Sequence, residues 1–222
     1  MPGSHKSSSR SINKRKLDPW QIVRSQELFV ALPWIKLSVQ QVRLPDGRMV
    51  DDYYQIKLPE YTVIFAQVTD RRVILERQYK YGVGHVTLAL PSGLIEDGED
   101  PLAGAQRELL EETGYVSDNW QTLGSFTANG NYGCGRAHLF IAWNAQPISE
   151  PDPGDLEDTE IVLSAPEEVM EAVRSGRVNV LASVAAVALA LNEGLWCQPK
   201  RDSREFKVNP LAGEIPGGRE GA

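Results

Sequence analysis

Cysteine is nearly missing: Cys134 and Cys197 are the only two in 222 residues. Two thiols so far apart make neither a disulfide framework nor a zinc spacing, so a reducing, cytoplasmic setting is expected. Long apolar runs are missing as well. The longest, Val180 to Leu191, contains a Ser and falls short of the roughly 20 residues that cross a bilayer. No membrane span and no secretory signal are expected. Positive charge is scarce, with 23 Lys and Arg against 30 Asp and Glu. Lys6, Arg10, Lys14, Arg15 and Lys16 lie together in the first sixteen residues without one acid, which leaves the body strongly acidic. A body that acidic is a poor general nucleic-acid binder, because neutralising phosphates needs clustered cations, and no nucleic-acid partner is expected. An acidic body suits a protein that collects divalent cations.

What remains is an ordinary globular composition, 41% hydrophobic and 24% charged. The length fits one domain with an appended subdomain. Residues 1–16 read as a disordered basic tail. Residues 17–58 read as a small N-terminal β subdomain, with strand patterning from Leu28. Trp34 to Val39 alternates in part, Leu44-Pro45-Asp46-Gly47-Arg48 is a turn, and Met49 to Leu58 resumes the pattern. Such a hairpin is too small to fold alone and must pack on something. Residues 59–198 form the main domain. Tyr61 to Val68 is nearly all apolar or β-branched, as in a strand buried on both faces. Arg72–Gln78, Val86–Leu90 and Ala137–Trp143 add strands, and two helices, Pro166–Ser175 and Val178–Asn192, follow an acidic loop over 150–160. Residues 199–222 read as a flexible tail. The fold class expected is α/β (α+β).

The chemistry lies between residues 93 and 115. Asp100 suits a helix N-cap, Pro101 the first helical position and Gly114 the residue past the end. Leu102, Ala105 and Leu109 give that helix a face to pack on a sheet. Glu108, Glu111 and Glu112 are spaced i, i+3, i+4, so three carboxylates share another face. Like charges at that spacing cost about 0.2–0.5 kcal/mol per pair. Arg107 offsets part of this through its i, i+4 relation to Glu111. Mg²⁺ or Mn²⁺ would resolve the rest, since hard cations take oxygen ligands and keep open positions for water and substrate phosphates. Three glutamates alone would favour a solvated helix face. The surrounding residues decide.

Gly93, Glu99, Arg107, Glu108, Leu109, Glu111, Glu112, Gly114 and Tyr115 follow the pattern Gly-x5-Glu-x7-Arg-Glu-U-x-Glu-Glu-x-Gly-U, where U is aliphatic or bulky apolar. At every fixed position the segment resembles the Nudix box. The resemblance implies the Nudix fold, a mixed β-sheet sandwiched between α-helices, with the box as loop–helix–loop. It implies metal-assisted hydrolysis of a nucleoside diphosphate linked to another moiety. Carried over by position, Glu108 and Glu112 are metal ligands, and Glu111 is a ligand or the group that orients the attacking water. The Ser92 carbonyl completes the metal site. Arg107 holds the carboxylates, Glu99 braces the loop, and Gly93 and Gly114 shape the backbone.

Outside the box, Leu44 to Arg48, Arg77-Gln78-Tyr79-Lys80 and Leu90-Pro91-Ser92-Gly93 resemble the ADP-ribose and nucleotide-sugar pyrophosphatase branch. That branch implies a homodimer in which N-terminal strands swap and help build the partner's site. It places Lys80 at a phosphate contact, usually Arg, and Trp34 near an aromatic position that stacks on the base; a core tryptophan of the hairpin is the other reading of Trp34. Three departures stand out. The branch tends to carry a Pro about 16 residues after the box and a catalytic glutamate in that loop, yet 126–137 holds no carboxylate. Ala89 stands where Glu is common. Water activation then falls to Glu111 or to the acidic loop, with Glu157 and Glu160 foremost, while Gly130, Gly133 and Gly135 suit either an anion-binding turn or a plain flexible loop. Hydrolysis of NADH or dinucleoside polyphosphates is the alternative enzyme reading. A nucleotide-sensing module without turnover is the other class, and the intact glutamate set argues against it.

Overall fold

The computed structural model describes residues 18–152 and 158–195. The two expected tails, together with Cys197, Asp155 and Glu157, lie outside the described residues. Three antiparallel strands open the chain in the order β1 (Gln21–Ala31), β2 (Ile35–Arg43), β3 (Met49–Lys57). The sequence pattern predicts only the last two. Strand β1 starts seven residues ahead of Leu28 and is exposed from Gln21 to Val30, so it is held by its ladder to β2 and has no burial contrast to betray it. Trp34 sits in the turn between β1 and β2 and is 64% exposed. It is not a core residue of this sheet.

The main sheet is mixed. Its order is β10 (Thr159–Ser164), β5 (Val73–Lys80), β4 (Tyr61–Val68), β9 (Cys134–Pro147), β7 (Tyr115–Val116), with β6 (His85–Ala89) on β5 and β8 (Asn119–Asn129) on β9. Strands β4 and β9 run parallel, and the other pairs are antiparallel. Alternation along β4 explains its two-sided apolar character. Val63 and Phe65 pack toward α2 (Pro166–Arg174) and α3 (Leu181–Ala190), while Ile64 and Ala66 pack toward α1 (Pro101–Thr113). The sheet is thus sandwiched between helices, as the resemblance implies.

Both ends of α1 follow from local sequence. The Asp100 carboxylate accepts from the Leu102 and Ala103 N–H groups, and Pro101 occupies the first turn. Gly114 ends the helix at φ +74, and a Cβ there would run into the Ser149 carbonyl. Gly114→Ala combines left-handed strain with a backbone collision. We expect a loss of more than about 1 kcal/mol, read as a lower Tm in thermal unfolding.

The stretch over 126–137 is a β-hairpin tip, not an open loop. Strand β8 runs to Asn129 and β9 begins at Cys134. The tip meets β3: Ile56 N–H donates to the Tyr132 carbonyl at 3.2 Å, and Tyr53 Oη and Gln55 Nε2 donate to the Asn131 carbonyl at 2.9 and 3.0 Å. Gly133, at φ +63, brings the turn against Gln55. Its Gly and Asn content serves a tight turn that docks the N-terminal sheet, which corrects the flexible-loop reading.

Candidate active site

Strand β4 sets the floor. The Thr62 and Ile64 N–H groups donate to the Gly93 and Pro91 carbonyls, each at 2.9 Å. In extended backbone this turns the intervening Ser92 to the other side, where its N–H donates to Glu112 Oε2 at 2.8 Å. The Ser92 carbonyl therefore faces the glutamate side, as the expected ligand role requires. Tyr61, Ser92, Gly93, Leu94, Arg107, Glu108, Glu111 and Glu112 line one cleft of about 460 Å³. A larger cavity, about 580 Å³, lies among Phe65, Trp143, Met170 and Arg71, and no box residue lines it.

Arg107 organises the acidic face. Its guanidinium grips Glu99 with two bonds of 3.0 Å, reaches the Leu94 carbonyl at 2.9 Å, and donates to Glu108 at 2.7 Å and Glu111 at 3.0 Å. Glu99 also accepts the Glu96 N–H at 2.9 Å. The bonds from Arg107, then that backbone N–H, hold the Glu99 carboxyl below its usual range, and Glu99 in turn holds the Arg107 guanidinium firmly protonated. Glu99 thus braces the loop and Arg107 aims two of the three glutamates. Glu112 is different. Burial first, and the adjacent Glu76 carboxyl second, push it up to about 10.

Among the described residues, no three acidic, His or Cys side chains already converge as metal ligands, because Glu108 and Glu111 are turned toward Arg107. The donors that share the cleft nevertheless suit a hard divalent cation. They are oxygens only, from carboxylates, backbone carbonyls and hydroxyls, and no soft sulfur or imidazole lines it. A Cβ on Gly93 would fall inside the Glu108 carboxylate, so only glycine leaves that carboxylate its place. Glu108 has a flexible stem, so Gly93→Ala should leave the Tm nearly unchanged while displacing that carboxylate. A loss of activity of at least about tenfold is expected at unchanged thermal stability, the size of effect that follows from disturbing the groups around a site that would hold a metal.

The other sequence candidates fall elsewhere. Lys80 ends β5 at its hairpin with β6, paired with His85, and does not line the cleft. It lies four residues beyond Glu76 on the same face, about 13 Å along the strand. Glu160 pairs with Arg77 at 2.8 Å on the exposed edge and does not line the cleft. The Asp152 N–H donates to the Glu111 carbonyl at 2.8 Å, which anchors the start of the acidic loop on α1. Glu76 is the residue that sequence reasoning missed. It is 1% exposed, and a carboxylate within the apolar run Val73-Ile74-Leu75 was the available signal.

Comparison with known proteins now decides the family. The NUDIX domain profile matches residues 58–184. The chain belongs to the Nudix hydrolase family. The nucleoside diphosphate sugar hydrolase N-terminal domain matches residues 20–56. The chain is 28% identical over 187 residues to the methanol dehydrogenase activator of Bacillus methanolicus, covering 81% of this chain and 97% of that protein. It is 26% identical over 166 residues to the ADP-ribose pyrophosphatase of Bacillus subtilis (strain 168), covering 74% and 89%. A crystal structure of an ADP compounds hydrolase superposes with a TM-score of 0.68 at 20% identity, over 80% of this chain and 95% of that one, and shares its fold.

Proposed function

We propose that this Nudix hydrolase cleaves the pyrophosphate bond of ADP-ribose or another nucleoside-diphosphate sugar, giving a nucleoside monophosphate and a sugar phosphate, with Mg²⁺ or Mn²⁺ as cofactor. The observation that carries the reading is the cleft where Ser92, Glu108, Glu111 and Glu112 present only oxygen donors. The resemblance to an ADP-ribose pyrophosphatase supports the substrate class. When bound, the metal polarises phosphoryl oxygens and lowers the pKa of a bound water. Glu108, Glu112 and the Ser92 carbonyl would hold it. Arg107 fixes the Glu108 and Glu111 carboxylates, and Glu111, whose side chain is 47% exposed, would take the proton of the attacking water. Lys80 offers a point charge to a phosphate farther along the β5 face. The test is a Mg²⁺-dependent panel of ADP-ribose, ADP-glucose, GDP-mannose, UDP-glucose, NADH and diadenosine polyphosphates. Preference for a nucleotide sugar supports the reading, and preference for NADH or the polyphosphates replaces it.

A homodimer built through residues 17–58 belongs to the same proposal. Trp20, Ile22, Val23, Leu28, Phe29 and Val30 expose apolar side chains, on both faces of β1, that a monomer would leave in water. Across such an interface Trp34 would meet the partner's nucleotide base. Light scattering should give twice the chain mass, and a fully active monomer at assay concentration would refute the dimer. The scarcity of cysteine supports a cytoplasmic setting, and among the described residues no helix is long and apolar enough to cross a membrane.

A further inference from the structure

Glu76 has no counterpart in the box, yet it is buried beside one of its glutamates. It lies on β5, directly across from Ala89 of β6, and cross-strand partners hold their Cβ atoms about 4.5–5.5 Å apart on the same face of the sheet. Ala89 is the position where the resembling branch commonly carries Glu. Both residues are almost wholly shielded, at 1% and 2% exposure. The Gln78 amide donates to Glu76 Oε2 at 2.9 Å and so orients the carboxyl. On its other side Glu76 interacts with Glu112, which is tied to Ser92. A carboxylate missing from one strand is thus present on its neighbour, in reach of the same space.

We infer that Glu76 is a relocated third carboxylate of this chain's metal site, contributing an oxygen to the cation held by Glu108 and Glu112, directly or through one bound water. The inference rests on the metal reading above. Two adjacent buried carboxyls are costly unless a shared proton or a cation lies among them, and a hard divalent ion accepts several oxygens around it. Next to Glu112 but outside the cleft lining, Glu76 would also set the angle at which Glu112 meets the metal. The competing role is purely structural, a buried carboxyl that simply bonds Gln78.

The two roles separate in metal binding without turnover. Mn²⁺ affinity is measured by electron paramagnetic resonance titration on the full chain, with Tm recorded in parallel in chelator. Glu76→Gln keeps the shape and the capacity to hydrogen-bond, and should weaken Mn²⁺ binding about 10–100-fold without lowering the Tm in chelator. The double change Glu76→Ala with Ala89→Glu returns the carboxylate to the other strand and should recover Mn²⁺ affinity relative to Glu76→Ala alone. Unchanged Mn²⁺ affinity in Glu76→Gln, while Glu112→Gln loses it, overturns the inference and leaves the metal reading standing. A folded double variant that recovers no affinity also overturns it. If Glu112→Gln and Glu108→Gln bind Mn²⁺ as tightly as the parent chain, the metal reading itself fails.

Discussion

Glu112→Gln and Glu108→Gln each lower kcat by about 10²–10⁴-fold in a protein that keeps its far-ultraviolet circular dichroism. The magnitude follows from the several kcal/mol that a bound metal supplies to a phosphoryl transition state, at 1.36 kcal/mol for each tenfold. The local geometry says why the fold survives. Arg107 donates to Glu108, and it keeps Glu99 and the Leu94 carbonyl when Glu108 is neutralised. Glu112 accepts a single backbone bond, from Ser92, which the Gln carbonyl oxygen can accept as well. Near-normal turnover in either folded variant would remove these residues from the metal site.

The same Glu112→Gln change stabilises the metal-free protein at neutral pH. Burial and Glu76 hold the Glu112 pKa at about 10, above its ordinary 4.5. Between those values the folded chain keeps a proton that the unfolded chain releases, so stability is fully present below about pH 4.5 and declines as pH rises through the window. A neutral glutamine escapes that decline. At pH 7 the variant should therefore melt above the parent chain. Thermal melts in chelator at pH 4, 7 and 9 should show the variant's advantage absent, present and larger still. A constant difference across that range would mean that Glu112 is not held protonated by its surroundings. Activity lost and stability gained from one substitution is the trade expected where a site concentrates charge for a ligand.

How far the sequence could be read depended on the range of the signal. Helix α1 was legible to the residue because Asp100, Pro101 and Gly114 act within one turn of its ends. The strands β4 and β9 showed as apolar runs because both faces are covered. Strand β1 did not show, since it is exposed on both faces and its ladder partner is set by the following turn. The Gly and Asn residues of 128–136 looked like an open loop because turn chemistry is the same whether a turn is free or docked on Tyr53, Gln55 and Ile56. In the site, the box spacing named every residue of the cleft's acidic face. Neither spacing nor periodicity could place Glu76, which comes 36 residues before Glu112 and meets it only when the sheet sets β5 beside β4, on which α1 packs. The pairing of Glu160 with Arg77 was hidden for the same reason, since the two are adjacent only through the pairing of β10 with β5.

The most direct test is incubation of the purified chain with ADP-ribose and Mg²⁺, with the products resolved by chromatography. The account predicts AMP and a ribose phosphate in equal amounts, no cleavage in excess chelator, and recovery when Mg²⁺ or Mn²⁺ is restored. Cleavage undiminished by the chelator, or no cleavage of ADP-ribose or any other nucleoside-diphosphate sugar with either metal, would contradict it.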